Sequence, residues 1–138
     1  MKILVIDDDA ALCRSLQIHL ERGGHSVELA HNASDGIARY GEDNFDLAFV
    51  DLKLPDKSGL EVLKAIQQSG ANGLAVMITG TQDMKATIEA VRLGAFDYIR
   101  KPLDLDAVLL TVEKVAQERS RVAGKKKLSA DAEFQPHE

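Results

Sequence analysis

Phe45-Asp46-Leu47-Ala48-Phe49-Val50-Asp51-Leu52-Lys53-Leu54-Pro55-Asp56-Lys57-Ser58-Gly59 is the stretch that decides how this chain folds. Its first half is an apolar run of strand length that ends in a single carboxylate. Its second half is punctuated by Pro55, Ser58 and Gly59, which stop a strand and open a helix. A run this uniformly apolar has no wet face, so it belongs in the middle of a sheet covered on both sides. Asp51 is thereby delivered to the end of a buried strand, which makes it a candidate nucleophile.

The same pattern recurs on either side. Ile3-Leu4-Val5-Ile6 ends in Asp7-Asp8-Asp9, and two later apolar runs end at Thr79 and Lys101. Strands are expected at Ile3 to Asp7, Ser26 to Ala30, Leu47 to Asp51, Ala75 to Thr79 and Asp97 to Arg100. Helical patterns fill the gaps. Leu12, Leu16 and Leu20 share one face of a helix over 10–22, closed by Gly23-Gly24. A second helix follows Asn32 or Ser34 and ends near Gly41. A third starts after Gly59 with Leu60, Leu63 and Ile66 on one stripe, and Gly70 closes it. A fourth runs from near Asp83 to Leu93-Gly94, with Met84, Ile88 and Val91 expected as its inward face. The last carries Leu105, Val108, Leu109, Val112, Val115 and Ala116. Strand and helix in alternation predict an α/β fold: a doubly wound five-stranded parallel sheet, flavodoxin-like, in strand order 2-1-3-4-5 with helices on both faces.

At 138 residues, with 45% apolar and 28% charged residues, the chain has the size and composition of one soluble domain. That domain is expected over 1–121. From its end, Arg121, Gly124, Lys125, Lys126 and Lys127 lead into a segment without apolar period, so 122–138 is expected to be a basic, polar linker or disordered tail. Cys13 is the lone cysteine, which rules out an internal disulfide and fits a reducing, cytoplasmic setting. No apolar stretch reaches the length of a membrane span. The net charge of −5 argues against direct nucleic-acid binding by the body of the chain.

In an open parallel sheet, ligands bind beyond the carboxyl ends of the strands, so Asp7, Asp8, Asp51, Thr79 and Lys101 are expected to converge on one cleft. Crowded carboxylates repel unless a cation intervenes, and hard oxygen ligands with room left for water suit Mg2+. The four histidines show no zinc spacing. A carboxylate attacks phosphorus to give an aspartyl phosphate once charge is screened, and Lys101 and Thr79 are the ammonium and hydroxyl that could hold phosphate oxygens. Each residue also has an ordinary explanation: Asp8 or Asp9 as a helix cap, Thr79-Gly80-Thr81 as a turn, Lys101-Pro102 as a strand end before an Asp104 cap. Their joint occurrence at strand ends is what points to a site.

From residue 2 to 120 these motifs resemble a response-regulator receiver domain: Ile3-Leu4-Val5-Ile6-Asp7-Asp8-Asp9, Asp51 through Gly59, Thr79-Gly80 and Lys101-Pro102. The resemblance implies that Asp51 accepts phosphate from a cognate sensor histidine kinase. It implies further that Asp8, Asp51 and the Lys53 carbonyl bind Mg2+ directly, that Asp7 assists, and that the bond before Pro102 is cis. Thr79 and Tyr98 are similar to the family's switch pair, acting on an output surface of fourth helix, fifth strand and fifth helix through which a second receiver copy could also dock. Ile78 through Leu105 looks most like receivers of the nitrogen-regulator type, which precede an ATPase domain of activators for an alternative sigma factor. DNA would then be reached only through an output domain absent from this chain. A stand-alone regulator in a phosphorelay is the rival reading.

On this view the chain is no conventional enzyme, catalysing only its own phosphoryl transfer and self-dephosphorylation. A haloacid-dehalogenase-type phosphatase also forms an aspartyl phosphate, but wants Asp-x-Asp-x-Thr at its first strand. Asp7-Asp8-Asp9-Ala10-Ala11 has alanine where that threonine belongs. A degenerate receiver serving only for docking is opposed by the intact acidic residues. Lys53 and Thr81, each two residues beyond a key position, are expected to border the path of hydrolytic water and to set phosphate lifetime.

Overall fold

Five strands and five helices alternate along the chain: β1 (Lys2–Ile6), α1 (Ala10–Arg22), β2 (Ser26–Ala30), α2 (Ala33–Glu42), β3 (Leu47–Asp51), α3 (Gly59–Gln68), β4 (Leu74–Thr79), α4 (Met84–Arg92), β5 (Asp97–Arg100) and α5 (Leu105–Glu133). The computed structural model describes the backbone of residues 1–80 and 82–133, with side chains placed through Gly124. All strand pairs are parallel and the order is β2-β1-β3-β4-β5. The expected fold is therefore the observed one.

Side chains alternate across each strand, and that period of two divides the core into two layers. Ile3 and Val5, Leu47 and Phe49, and Val76 and Ile78 face α1 and α5, where Cys13, Leu16, Leu20, Val108, Val112 and Val115 meet them. Leu4 and Ile6, Ala48 and Val50, and Ala75 and Met77 face the opposite way, against Tyr40, Val62, Leu63, Ile66 and Ala90. Each fully buried large aliphatic or aromatic side chain contributes about 1.5–3 kcal/mol, so the two layers drive the fold. Caps then set the helix limits. The Asp9 carboxylate accepts from Leu12 N at 3.1 Å, Asn32 from Asp35 N at 2.7 Å, and Ser58 Oγ from Leu60 N at 3.2 Å. At the other end of α1, Gly24 takes the left-handed φ of 90° that lets the chain turn into β2.

The expected inward face of α4 is corrected by the structure. Met84, Ile88 and Val91 are exposed at 48%, 49% and 52%, while Thr87 and Ala90 are buried. Both stripes share the helical period, and packing selects the one with small side chains, which lets α4 lie close to the sheet. Leu109 is likewise exposed, and the buried face of α5 is Val108, Thr111, Val112 and Val115. Arg119 fastens α5 to the foot of the sheet, donating to Asn72 O at 2.7 Å and pairing with Asp46 at 2.7 Å.

The α5 backbone is helical past residue 121 as far as Glu133, because good helix formers continue and no proline intervenes. The tail expected over 122–138 thus begins as helix. Its residues 134–138 lie outside the described residues.

Candidate phosphoryl-transfer site

Strands β1 and β3 are neighbours whose onward connections lead to opposite sides, and the crevice at their carboxyl ends holds the site. Asp7 follows β1, its N–H continuing the ladder to Ala30 O at 3.0 Å, and Asp51 ends β3. One register step beyond Asp51's partner Ile78 on β4 stands Thr79, buried. Lys101 follows β5 and donates its backbone N–H to Thr79 O at 2.8 Å, and the Lys101–Pro102 bond is cis. Of the sequence-predicted residues, Asp7, Asp8, Asp51, Lys53 and Lys101 come together, with Thr79 on the adjoining strand end, around a cleft of about 410 Å³ lined by Asp8, Asp51, Lys53, Gly80, Gln82, Asp83 and Lys101.

Three carboxylates meet there: oxygens of Asp7, Asp8 and Asp51 lie within 4.8 Å of one another. Lys101 Nζ is 3.1 Å from Asp7 Oδ2 and 3.2 Å from Asp51 Oδ2. The contact to Asp51 has hydrogen-bond geometry, whereas Asp7 Oδ2 is buried without a hydrogen-bond partner, so its contact is coulombic. Burial opposes the charge on Lys101, but the Asp7 and Asp51 carboxylates outweigh it and hold the ammonium above the usual lysine range. Burial, then the charge of Asp7, raise the Asp51 carboxyl above the ordinary value, against the Lys53 N–H and Lys101.

One ammonium cannot neutralise three carboxylates. An unpartnered buried carboxylate oxygen, an exposed carboxylate beside it and an all-oxygen donor set fit a hard divalent cation of the Mg2+ kind. Asp9 is spent on capping α1, which leaves Asp8 free for the cleft. Asp7 is fixed from three sides: Oδ1 accepts from Asp9 N at 2.9 Å, while its carbonyl meets Cys13 Sγ at 3.2 Å and His31 Nδ1 at 3.1 Å. Burial and the nearby carboxylates push the Cys13 thiol up to about 12, so it is no nucleophile. Tyr98 is 40% exposed on β5 and is not among the residues that line the cleft. Thr81 lies outside the described residues.

Sequence reasoning missed two carboxylates. Asp83 lines the cleft and pairs with Lys53 Nζ at 3.5 Å. Asp56 reaches from the loop after β3 to the start of α2, accepting from Ala33 N at 2.8 Å, Ser34 N at 3.0 Å and Ser34 Oγ at 2.8 Å. The only signal for the second was a second carboxylate after Pro55; its partners lie far away in sequence. These bonds, the Ala33 N–H foremost, hold the Asp56 carboxyl far below the usual carboxylate range. A depressed value stabilises the fold above the unfolded carboxylate range and loses that contribution as pH falls from there. In urea titrations the gap between wild-type and Asp56→Asn is therefore expected to be full near neutrality and to close below about pH 4. A gap independent of pH would mean that the charge of Asp56 plays no part.

Comparison with known proteins places the chain in a family. Residues 3–113 match the family model of the response regulator receiver domain. The acid tolerance regulatory protein ActR of Rhizobium meliloti is 36% identical over 117 residues, covering 85% of this chain and 60% of ActR. The transcriptional regulatory protein ZraR of Salmonella typhimurium is 35% identical over 130 residues, 94% of this chain but 29% of ZraR. The chain thus spans less than two thirds of these relatives. Among solved structures, a CheY-like receiver domain protein from Methanospirillum hungatei superposes with a TM-score of 0.82 at 32% identity, covering 87% of this chain and 97% of that one. NtrX from Brucella abortus does so with 0.85 at 27%, covering 92% of this chain and 29% of that one. The family model's match over residues 3–113, most of the chain, makes this chain a member of the response regulator receiver domain family.

Proposed function

We propose that the chain is a phospho-accepting switch in which Asp51 takes a phosphoryl group from a phosphohistidine on a sensor kinase. The observation that carries this is the convergence of Asp7, Asp51 and Lys101 around one cleft with Asp8 at its rim. A carboxylate oxygen of Asp51 forms the new bond to phosphorus as the bond from phosphorus to the imidazole nitrogen breaks, and the imidazole leaves with the electron pair. Lys101, already 3.2 Å from Asp51, offsets the charge on the phosphoryl oxygens, and the Thr79 hydroxyl donates to one of them. Asp7, Asp8, Asp51 and the Lys53 carbonyl would hold Mg2+, which supplies charge neutralisation when bound.

The signal then leaves through α4, β5 and α5. Met84, Ile88, Val91 and Tyr98 expose apolar surface there, which supports a docking face for a partner or a second receiver. Thr79 and Tyr98 form the switch pair, linking phosphate to that face. The likeness to ZraR and NtrX, both far longer than this chain, supports a receiver of the nitrogen-regulator type that controls a transcription-activating output domain in the cytoplasm, tethered through 122–138. Among the described residues no helix is long and apolar enough to cross a membrane. Exposure to a small phosphodonor tests the reading: one phosphoryl group per chain, dependent on Mg2+, is expected, and steady phosphomonoester turnover without a labelled protein would overturn it.

A further inference from the structure

Asp83 occupies the position that precedes the first turn of α4, where aspartate is among the best capping residues, yet its side chain makes no capping hydrogen bond. The carboxylate is turned the other way. Oδ1 lies 3.5 Å from Lys53 Nζ, and Oδ2 sits over Gly80, 3.3 Å from where a β-carbon on that residue would be. It is mostly buried, with 17% of the side chain exposed, and forms part of the wall of the phosphoryl cleft. Lys53, by contrast, is 75% exposed at the mouth, and its backbone N–H donates to Asp51 Oδ1 at 3.2 Å.

We propose that Asp83 is the coupling residue between the cleft and α4, its carboxylate exchanging between Lys53 and the first-turn amides of α4. The inference rests on the phospho-acceptor reading of Asp51. An ion pair as long as 3.5 Å with a 75% exposed lysine is of comparable worth to a helix cap, so the two arrangements lie close in free energy and a modest change at the cleft selects between them. A phosphoryl group on Asp51 brings a compact dianion beside the Lys53 backbone and competes with Asp83 for the Lys53 ammonium. Released, the Asp83 carboxylate rotates to accept from the N–H of Lys85 or Ala86, where the helix dipole also favours a negative charge. The first turn of α4 tightens, and Met84, at its start, moves with it. Site occupancy is thereby written into the helix that carries the exposed Met84, Ile88 and Val91 stripe.

Amide hydrogen exchange of the 138-residue chain, read at Lys85 and Ala86 by NMR, tests this. Asn caps as well as Asp but cannot pair with Lys53, so Asp83→Asn is expected to raise protection of these amides several-fold in the resting protein. Lys53→Met should give the same rise, and the double variant no more than either single one. Asp83→Ala, which removes pair and cap together, should give none. Beryllofluoride with Mg2+ should bring wild-type to the level of Asp83→Asn and leave Asp83→Ala unchanged. Unaltered exchange in both Asp83→Asn and Lys53→Met would overturn the proposal. Phosphoryl uptake is scored separately on the same proteins: wild-type that takes up none contradicts the reading of Asp51, whereas labelled wild-type with unmoved Lys85 and Ala86 amides overturns the coupling role of Asp83.

Discussion

Asp51→Asn is expected to abolish phosphoryl uptake from a small phosphodonor while leaving the fold intact. The amide differs from the carboxylate by one group and fits the same space, and its single oxygen keeps one of the two bonds that the carboxylate accepts on separate oxygens, from Lys53 N and Lys101 Nζ, each at 3.2 Å. What it lacks is the anionic oxygen that forms a bond to phosphorus. Asp7 does not take over, because it is fully buried with one oxygen committed to Asp9 N and the other beside Lys101. Stability moves the opposite way. Burial and the charge of Asp7 disfavour ionised Asp51 in the folded protein, so the neutral amide is expected to raise the urea midpoint of the metal-free protein or leave it unchanged. A variant that folds at least as well as wild-type and takes up no phosphate separates chemistry from structure; uptake at the wild-type level would remove Asp51 from the mechanism.

The second large effect is structural. A β-carbon added at Gly59 would fall 2.8 Å from Leu52 Cα and 2.9 Å from Asp51 C, and closer still to Asp51 O, all of them backbone. No side chain can rotate away to make room. The turn is also closed by Gly59 N donating to Leu52 O at 2.9 Å and by the bridge between Lys53 and Ser58. Gly59→Ala must therefore push the loop off the end of β3 and take the Asp51 backbone with it. Overpacking of this kind costs about 1–3 kcal/mol, and the backbone contacts put Gly59 at the upper end. Phosphoryl uptake should slow in the same variant, because the nucleophile and the Lys53 carbonyl are displaced together. Gly41 is the control: it lies near the end of α2 with open space around it, and alanine there is expected to stabilise by roughly 0.5–1 kcal/mol. Equal stabilities for the two variants would show that the loop has slack the structure does not reveal.

Sequence and structure agree where one residue type at one place has one job. Apolar runs of strand length, each ending in a polar residue, gave sheet, order and cleft, because a central parallel strand has no alternative burial. Asp51 and Asp7 were legible for the same reason: each is the first polar residue after such a run, with Asp8 next to Asp7, whereas Lys101 follows the mixed strand Asp97–Arg100 and was read from its place before Pro102. The orientation of α4 was not. Met84, Ile88 and Val91 keep the same period as Thr87 and Ala90, and only the close approach of helix to sheet decides which stripe is covered. Gly59 was readable as punctuation, yet its reason is lack of space beside Asp51 rather than a left-handed backbone. Asp56 and Asp83 stayed hidden because their partners, Ala33, Ser34 and Lys53, are distant in sequence and meet them only once the loops are in place.

The most direct test of the account is to map the phosphoryl group after exposure of the chain to a small phosphodonor, with and without Mg2+, by peptide mass spectrometry. The account predicts a single acid-stable, alkali-labile group on Asp51 that appears only with the metal. Phosphate on any other residue, or the same yield on Asp51 without Mg2+, would contradict it.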